Sequence, residues 1–144
     1  MIITIAICNS QYYYSYQIIK AIKTDNQKSF LKNINKIKNI DTRPYPEFIA
    51  TISEYSNFSP LQEAALNGNY YYVEKLIDKE ANINYQDKSM GWTPLICAIR
   101  SNGSDKEKII IYLIEKGANV NAKDKAWRTV KDHAEMKDVI YLFE

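Results

Sequence analysis

Glycine and proline are scarce in this sequence, with four residues of each among 144. An all-β fold needs many tight turns, so this shortage argues against one. Cysteine is scarcer still, because the sequence contains only Cys8 and Cys97 and they form no Cys-x-x-Cys spacing. The usual redox and zinc patterns are therefore missing. Two free thiols suit a reducing compartment, and we expect a cytoplasmic protein.

Residues that could support catalysis are few and scattered. The one histidine, His133, has no nucleophile motif near it in the sequence. The acidic residues Asp78 and Glu80 fall at a predicted helix end, where we expect them to be solvated. The glycines are spread along the chain and form no phosphate-binding loop. We therefore predict that the protein is not an enzyme and uses no cofactor, metal or small-molecule substrate.

Strong charge and long apolar runs are also missing. The net charge of +2 is too small to indicate a nucleic-acid partner. The charge is uneven, however, because residues 1–43 carry seven Lys or Arg and two Asp or Glu. The apolar N-terminus, Met1 to Cys8, is too short for a secretory signal or a membrane span. We expect this segment to pack as a cap against the first helices, with a cryptic targeting segment as the alternative, and we expect no membrane association.

The sequence does contain an internal repeat. The stretch 59–84 contains SPLQEAALNGN, VEKLI and ANIN in that order, and the stretch 93–121 contains TPLICAI and GANVN. Ser59 and Thr93 can each cap the start of a helix, and the proline that follows suits the first helical position. Apolar stripes at i, i+3 and i+4 then indicate a second helix in each unit. These stripes are Val73, Leu76 and Ile77, then Ile110, Leu113 and Ile114.

The combined pattern resembles the ankyrin repeat family, most strongly over residues 57–123. The resemblance implies an all-α solenoid of stacked helix-turn-helix repeats. It divides the chain into an N-terminal cap segment (1–16), a degenerate repeat (17–43), an insertion (44–56), two clear repeats (57–86 and 87–123) and a shortened C-terminal capping repeat (124–144).

Several positions depart from the family pattern. Glu80 stands where a repeat normally has glycine, so a left-handed backbone there would cost about 1 kcal/mol. Gln62 and Ile96 replace the histidine that commonly follows Pro-Leu, and we expect weaker hydrogen bonding between repeats as a result. The second unit has a longer turn between its helices, in which Ser104 and Glu107 have the spacing of a capping box.

The ankyrin resemblance implies protein recognition through the turn tips and the exposed face of the inner helices. The predicted tip residues are Tyr85, Lys88, Met90, Trp92, Lys125, Trp127 and Arg128, and the predicted inner-face residues are Leu66, Asn67 and Arg100. Tryptophan and arginine often dominate interface energies, so Trp92, Trp127 and Arg128 are expected to form the anchor together with Met90. Trp92 is open to two interpretations, because a tryptophan before Thr-Pro-Leu often packs on its neighbour in the family. Trp127 takes a place usually held by glycine.

We therefore predict a non-enzymatic protein–protein interaction module that is a monomer when free. Its role could be that of an inhibitor, an immunity protein, an adaptor or an effector, and an effector would act in the cytoplasm of a host cell. Two alternatives stay open. One is a self-associating or scaffold subunit, and the other is nucleic-acid binding through the basic N-terminal third.

Overall fold

The computed structural model describes residues 2–42 and 58–143, with side chains from Ser10 onward. The predicted insertion at 44–56 lies outside these residues. The described ranges contain seven α-helices and one 3-10 helix: α1 (Ile2–Lys23), α2 (Gln27–Ile34), α3 (Pro60–Asn67), α4 (Tyr70–Ile77), α5 (Pro94–Arg100), α6 (Lys106–Glu115), α7 (Val130–Glu135) and the 3-10 helix (Ile140–Phe143). Among these residues, no helix is both long and apolar enough to cross a membrane.

The helices are arranged as a stack of hairpin pairs. α1 packs on α2, α3 on α4 and α5 on α6. The inner helices follow one another in order, since α3 lies between α1 and α5, and α7 packs on α5. The outer helices α4 and α6 also touch each other. This arrangement confirms the all-α solenoid that the repeat predicts.

Side-chain caps fix where the inner helices begin. Ser59 and Gln62 form a reciprocal capping box at α3, in which Gln62 Oε1 accepts from the Ser59 N–H at 2.9 Å. Thr93 Oγ1 accepts from the N–H three residues later at α5, at 3.2 Å. Thr129 and Asp132 repeat the capping box at α7, which explains why that short terminal helix forms without a proline.

A continuous apolar core runs through the stack. Its fully buried members on the two central units are Leu61, Ala64, Ala65, Tyr72, Val73, Leu76, Leu95, Ile96, Cys97, Ala98, Ile99, Ile109, Ile110 and Leu113. The small alanines on α3 and α5 let these inner helices approach closely, while the larger residues of α4 and α6 close the core from outside. The predicted outer-helix stripes therefore face the core, although Ile77 and Ile114 are only partly buried.

The degenerate first unit has the predicted helix pair. Ile18, Ala21 and Ile22 on α1 are buried, as are Phe30 and Ile34 on α2. The predicted cap segment at 1–16 continues directly into the inner helix of the first unit, because α1 runs without a break from Ile2 to Lys23. No glycine or proline lies between these residues to end the helix.

The long turn of the second unit lacks the capping box that the sequence predicted there. α6 starts at Lys106 after Asp105, so Ser104 does not form a capping box with Glu107. Asp105 instead reaches across to the neighbouring unit, where its Oδ2 accepts from the Tyr70 N–H at the start of α4 at 3.1 Å. Asp105 can reach α4 because its turn lies in close contact with the turn between α3 and α4. A Cβ on Gly103 would lie 2.6 Å from the carbonyl oxygen of Asn67.

Two turns that end an outer helix share a left-handed residue. Gly117 has a φ of 93°, and Glu80 has a φ of 60° at the corresponding position. The left-handed backbone expected at Glu80 is therefore present, and a side chain there is strained.

Candidate functional site at the turn tips

A buried aspartate organises each of the two turn tips, 85–92 and 122–129. In the first tip, Asp87 Oδ1 accepts from the N–H groups of Ser89 and Met90 at 2.8 and 2.7 Å. Asp87 Oδ2 accepts from the Trp92 N–H at 2.8 Å. One carboxylate therefore satisfies three backbone donors in succession and fixes the path of the turn.

Asp124 does the same in the second tip and also holds two side chains. Its Oδ1 accepts from the N–H groups of Ala126 and Arg128 at 2.8 and 3.0 Å. Its Oδ2 lies 2.7 Å from a terminal guanidinium nitrogen of Arg128 and 3.1 Å from Nε2 of His133. Burial alone would raise the pKa of Asp124, but the hydrogen bonds, first among them those from Arg128, outweigh it and lower the pKa to about 2.

Backbone and amide hydrogen bonds join the two tips. The Lys125 N–H donates to the carbonyl of Met90 at 2.9 Å. Gln86 Nε2 donates both to the carbonyl of Gly91 at 2.8 Å and to that of Lys123 at 2.9 Å. The two tips therefore form one surface whose backbone is held in place.

Gln62 also contributes to this network, contrary to the expected weakening. Its Nε2 donates to the carbonyl of Trp92 at 2.6 Å, across one repeat. The amide thus supplies an inter-repeat donor at the place where the family commonly has histidine.

Trp92 is packed inside the structure, with only 8% of its surface exposed. Its indole stacks on Phe58 with the ring centres 5.8 Å apart, and the Arg100 guanidinium lies 4.5 Å from its ring centre. His133 meets the same indole edge-on at 6.2 Å. Of its two interpretations, this geometry matches packing, because little of the side chain is left for a partner.

Trp127 is the opposite case. It is 79% exposed, more than any other large hydrophobic side chain in the described residues. Its φ of 63° is left-handed, as at Gly91 in the first tip, which has a φ of 70°. The ammonium of Lys123 lies 5.9 Å from the centre of the Trp127 ring. An exposed indole is therefore held on a strained backbone at the edge of the tip surface.

The other predicted residues fall into two groups. Lys88, Met90, Lys125 and Arg128 are exposed beside Trp127 on the joined tips, and Tyr85 is half-buried at the start of the first tip. Leu66 and Asn67 lie at the far end of α3, so the structure does not bring them to the tips. Arg100 also lies at a helix end, but its side chain extends to Trp92.

His133 is a residue whose place the sequence did not reveal. It is fully buried on α7, with Nε2 on Asp124 and Nδ1 3.5 Å from a guanidinium nitrogen of Arg100. Burial lowers the pKa of His133, and the nearby Arg128 and Arg100 add to this effect, while Asp124 opposes it. A neutral ring that donates from Nε2 to Asp124 fits these contacts. Asp124 and His133 are nine residues apart in the sequence, and this spacing matches no recognisable motif.

The described residues offer little for catalysis. No group of three or more His, Cys, Asp or Glu side chains in them could hold a metal ion. Cys97 is buried, and burial raises the pKa of its thiol. A neutral buried thiol is a poor nucleophile.

Comparison with known proteins gives consistent results. A sequence model described as ankyrin repeats (3 copies) matches residues 18–124. Over 74 residues, 51% of this chain, the sequence is 35% identical to the ankyrin repeat and SAM domain-containing protein 6 of Rattus norvegicus and 34% identical to that of Mus musculus. The match spans 8% of each of those proteins.

Among solved structures, the ankyrin repeat domain of Bcl-3, a member of the IkappaB protein family, is similar in fold. The TM-score is 0.67 at 24% sequence identity, over 88% of this chain and 50% of that one.

Proposed function

Because this chain belongs to the ankyrin repeat family, whose repeats generally mediate protein–protein interaction and are typically not enzymes, we propose that it binds a partner protein through its joined turn tips. We call this area the tip surface, and its exposed members are Lys88, Met90, Lys123, Lys125, Trp127 and Arg128. The observation that carries the proposal is that the indole of Trp127 is exposed while its backbone is strained.

The strain and the exposure of Trp127 both count against a purely structural role. A side chain in the left-handed region costs about 1 kcal/mol, and glycine would remove that cost. An exposed indole gains nothing from burial in the free protein, whereas in an interface tryptophan is one of the residues that most often carry binding energy. Met90, which is 49% exposed on the adjacent tip, would extend the apolar contact.

The same surface suits several roles. An inhibitor, an immunity protein and an effector all act by occupying a surface of another protein, and we place this protein in that class, acting in the cytoplasm as a monomer when free. The hydrogen-bonded backbone of the tips supports a binding role, because a preorganised surface loses less entropy on binding.

A comparative pull-down tests the proposal. The wild-type protein, Trp127→Ala and the control Tyr13→Ala would be used to capture partners from an extract of the source cell. Tyr13 is an exposed aromatic residue on α1, in the first unit and away from the tips. We expect one protein to be captured by wild type and control and lost with Trp127→Ala. Equal recovery with Trp127→Ala would reject the site, and a protein that elutes as an oligomer in gel filtration would favour the self-associating subunit.

A further inference from the structure

We infer that the segment of the partner protein that docks on the tip surface is acidic, with a nonpolar side chain that packs on Trp127 between its carboxylates. This inference rests on the proposed function and specifies the chemistry of the partner at that same site. It follows from which charges the two tips expose and which they bury.

The tips expose cations and bury their carboxylates. Residues 85–92 and 122–129 contain four basic residues, Lys88, Lys123, Lys125 and Arg128, all of them exposed. The same two stretches contain two acidic residues, Asp87 and Asp124, and both are buried. Because Arg128 is paired with Asp124, the cations that a partner meets on the second tip are Lys123 and Lys125.

The buried carboxylates are also fully occupied. Asp87 accepts from three backbone N–H groups, and Asp124 accepts from two as well as contacting Arg128 and His133. Hydrogen bonds of this kind are short and charge-assisted, so these oxygens do not turn outward to meet a partner's cations. Because these carboxylates are buried while Lys123 and Lys125 are exposed, electrostatic complementarity favours an acidic segment.

The position of Trp127 adds a requirement for an apolar contact. Lys123 lies 5.9 Å from its ring centre, and Met90 is exposed on the adjoining tip, which is tied to the second tip through the bond from the Lys125 N–H to the Met90 carbonyl. Cations and apolar side chains thus alternate over a short distance on a fixed backbone. A segment in which acidic and apolar residues alternate matches both features at once.

A protein segment fits this surface better than a single-stranded nucleic acid. A nucleic-acid groove combines basic residues with several aromatic side chains on which successive bases stack. The two tips expose one aromatic side chain fully, Trp127, because Trp92 is packed inside. The tips also carry a surplus of only two positive charges, four basic against two acidic residues, which is small for a surface that tracks phosphates.

The inference can be tested with three probes and the 144-residue chain. The first is a fluorescent peptide of alternating Glu and Leu, the second is the same peptide with Gln in place of Glu, and the third is oligo-dT. Binding is measured by fluorescence anisotropy at low and moderate salt. We expect the Glu peptide to bind, the Gln peptide to bind about tenfold more weakly, and the affinity for the Glu peptide to fall as salt rises.

Charge reversal locates the binding to the tips. Lys123→Glu combined with Lys125→Glu is compared with Lys28→Glu combined with Lys32→Glu, which reverses two exposed lysines on α2. We expect the tip variant to lose about tenfold in affinity for the Glu peptide and the α2 variant to lose little. Lys123→Gln with Lys125→Gln, together with thermal melting of all variants, separates lost charge from lost folding.

Several results would overturn the inference: equal binding of the Glu and Gln peptides, equal loss in the tip and α2 variants, or tighter binding of oligo-dT than of the Glu peptide. Its failure is distinguishable from failure of the proposed function. If the captured protein is lost with Trp127→Ala but retained after charge reversal at the tips, the site stands and its partner is not acidic. If the captured protein is retained with Trp127→Ala, the site itself is rejected.

Discussion

The two turn tips share the same hydrogen-bonded framework but differ in whether their tryptophan is buried or exposed. Each is organised by a buried aspartate, and each has a left-handed residue two positions before the helix-capping threonine. In the first tip that residue is Gly91, and the tryptophan that follows it is packed between Phe58 and Arg100. In the second tip the left-handed residue is Trp127 itself, and its indole faces outward. One tip uses its tryptophan for stability, and the other exposes it at a cost in stability.

Removing either aspartate should have the largest effect on the free energy of unfolding. Similar losses at the two positions would show that the two frameworks are equivalent. We expect Asp87→Ala and Asp124→Ala each to lower the free energy of unfolding by about 3 kcal/mol, because each leaves several buried or half-buried donors without an acceptor. Urea unfolding measures both values. Asp132→Ala, which removes an exposed cap at α7, serves as the control and should cost about 1 kcal/mol. A loss below the control at either aspartate would contradict the shared framework.

The strain at a left-handed residue can be measured away from the tips. Glu80→Gly should raise the melting temperature by about 4 °C, because it removes about 1 kcal/mol of backbone strain. Gly117→Ala is the matched reverse change, since a Cβ there would meet no atom within 4 Å and only the backbone conformation is tested. We expect a decrease of similar size. If Glu80→Gly destabilises the protein, the side chain of Glu80 contributes more than its strain costs, and the same correction would apply to Trp127.

The stability of the second tip should also depend on pH, because its Asp124 pairs with His133. We expect this effect to be smaller. The folded structure lowers the pKa of His133 below its ordinary value of 6.5, so the unfolded chain takes up the proton more readily. The stability that comes from the neutral ring is complete above pH 6.5 and is lost as the pH falls from that value through the lower pKa of the folded protein. Urea midpoints measured on either side of pH 6.5 should therefore differ, and the difference should shrink in His133→Gln. An unchanged pH dependence in His133→Gln would show that other groups cause it.

Local features of the fold could be predicted from the sequence. Ser59 and Thr93 cap helices through contacts with residues three positions away, so short-range pattern is enough to locate them. The left-handed backbone at Glu80 could also be anticipated, because the repeat places it where the family uses glycine. Trp127 also stands in a place usually held by glycine, but its backbone conformation was not predicted.

Contacts across repeats could not be predicted in the same way. The burial of Trp92 depends on Phe58 and Arg100, and the Asp105 carboxylate accepts from a helix start 35 residues earlier. The His133–Asp124 pair joins an inner helix to the tip that precedes it. Pairings of this kind depend on the rotation and spacing between stacked units, which the repeat pattern does not specify. For the tip surface, the sequence therefore indicated the residues but not which tryptophan is exposed.

The most direct test of this account measures stability and binding together in Trp127→Gly. Replacing the strained residue with glycine should raise the free energy of unfolding by about 1 kcal/mol and weaken capture of the partner protein by at least about tenfold. That combination would show that Trp127 is kept for recognition at the expense of folding. A variant that is more stable and captures the partner as well as wild type does would contradict it.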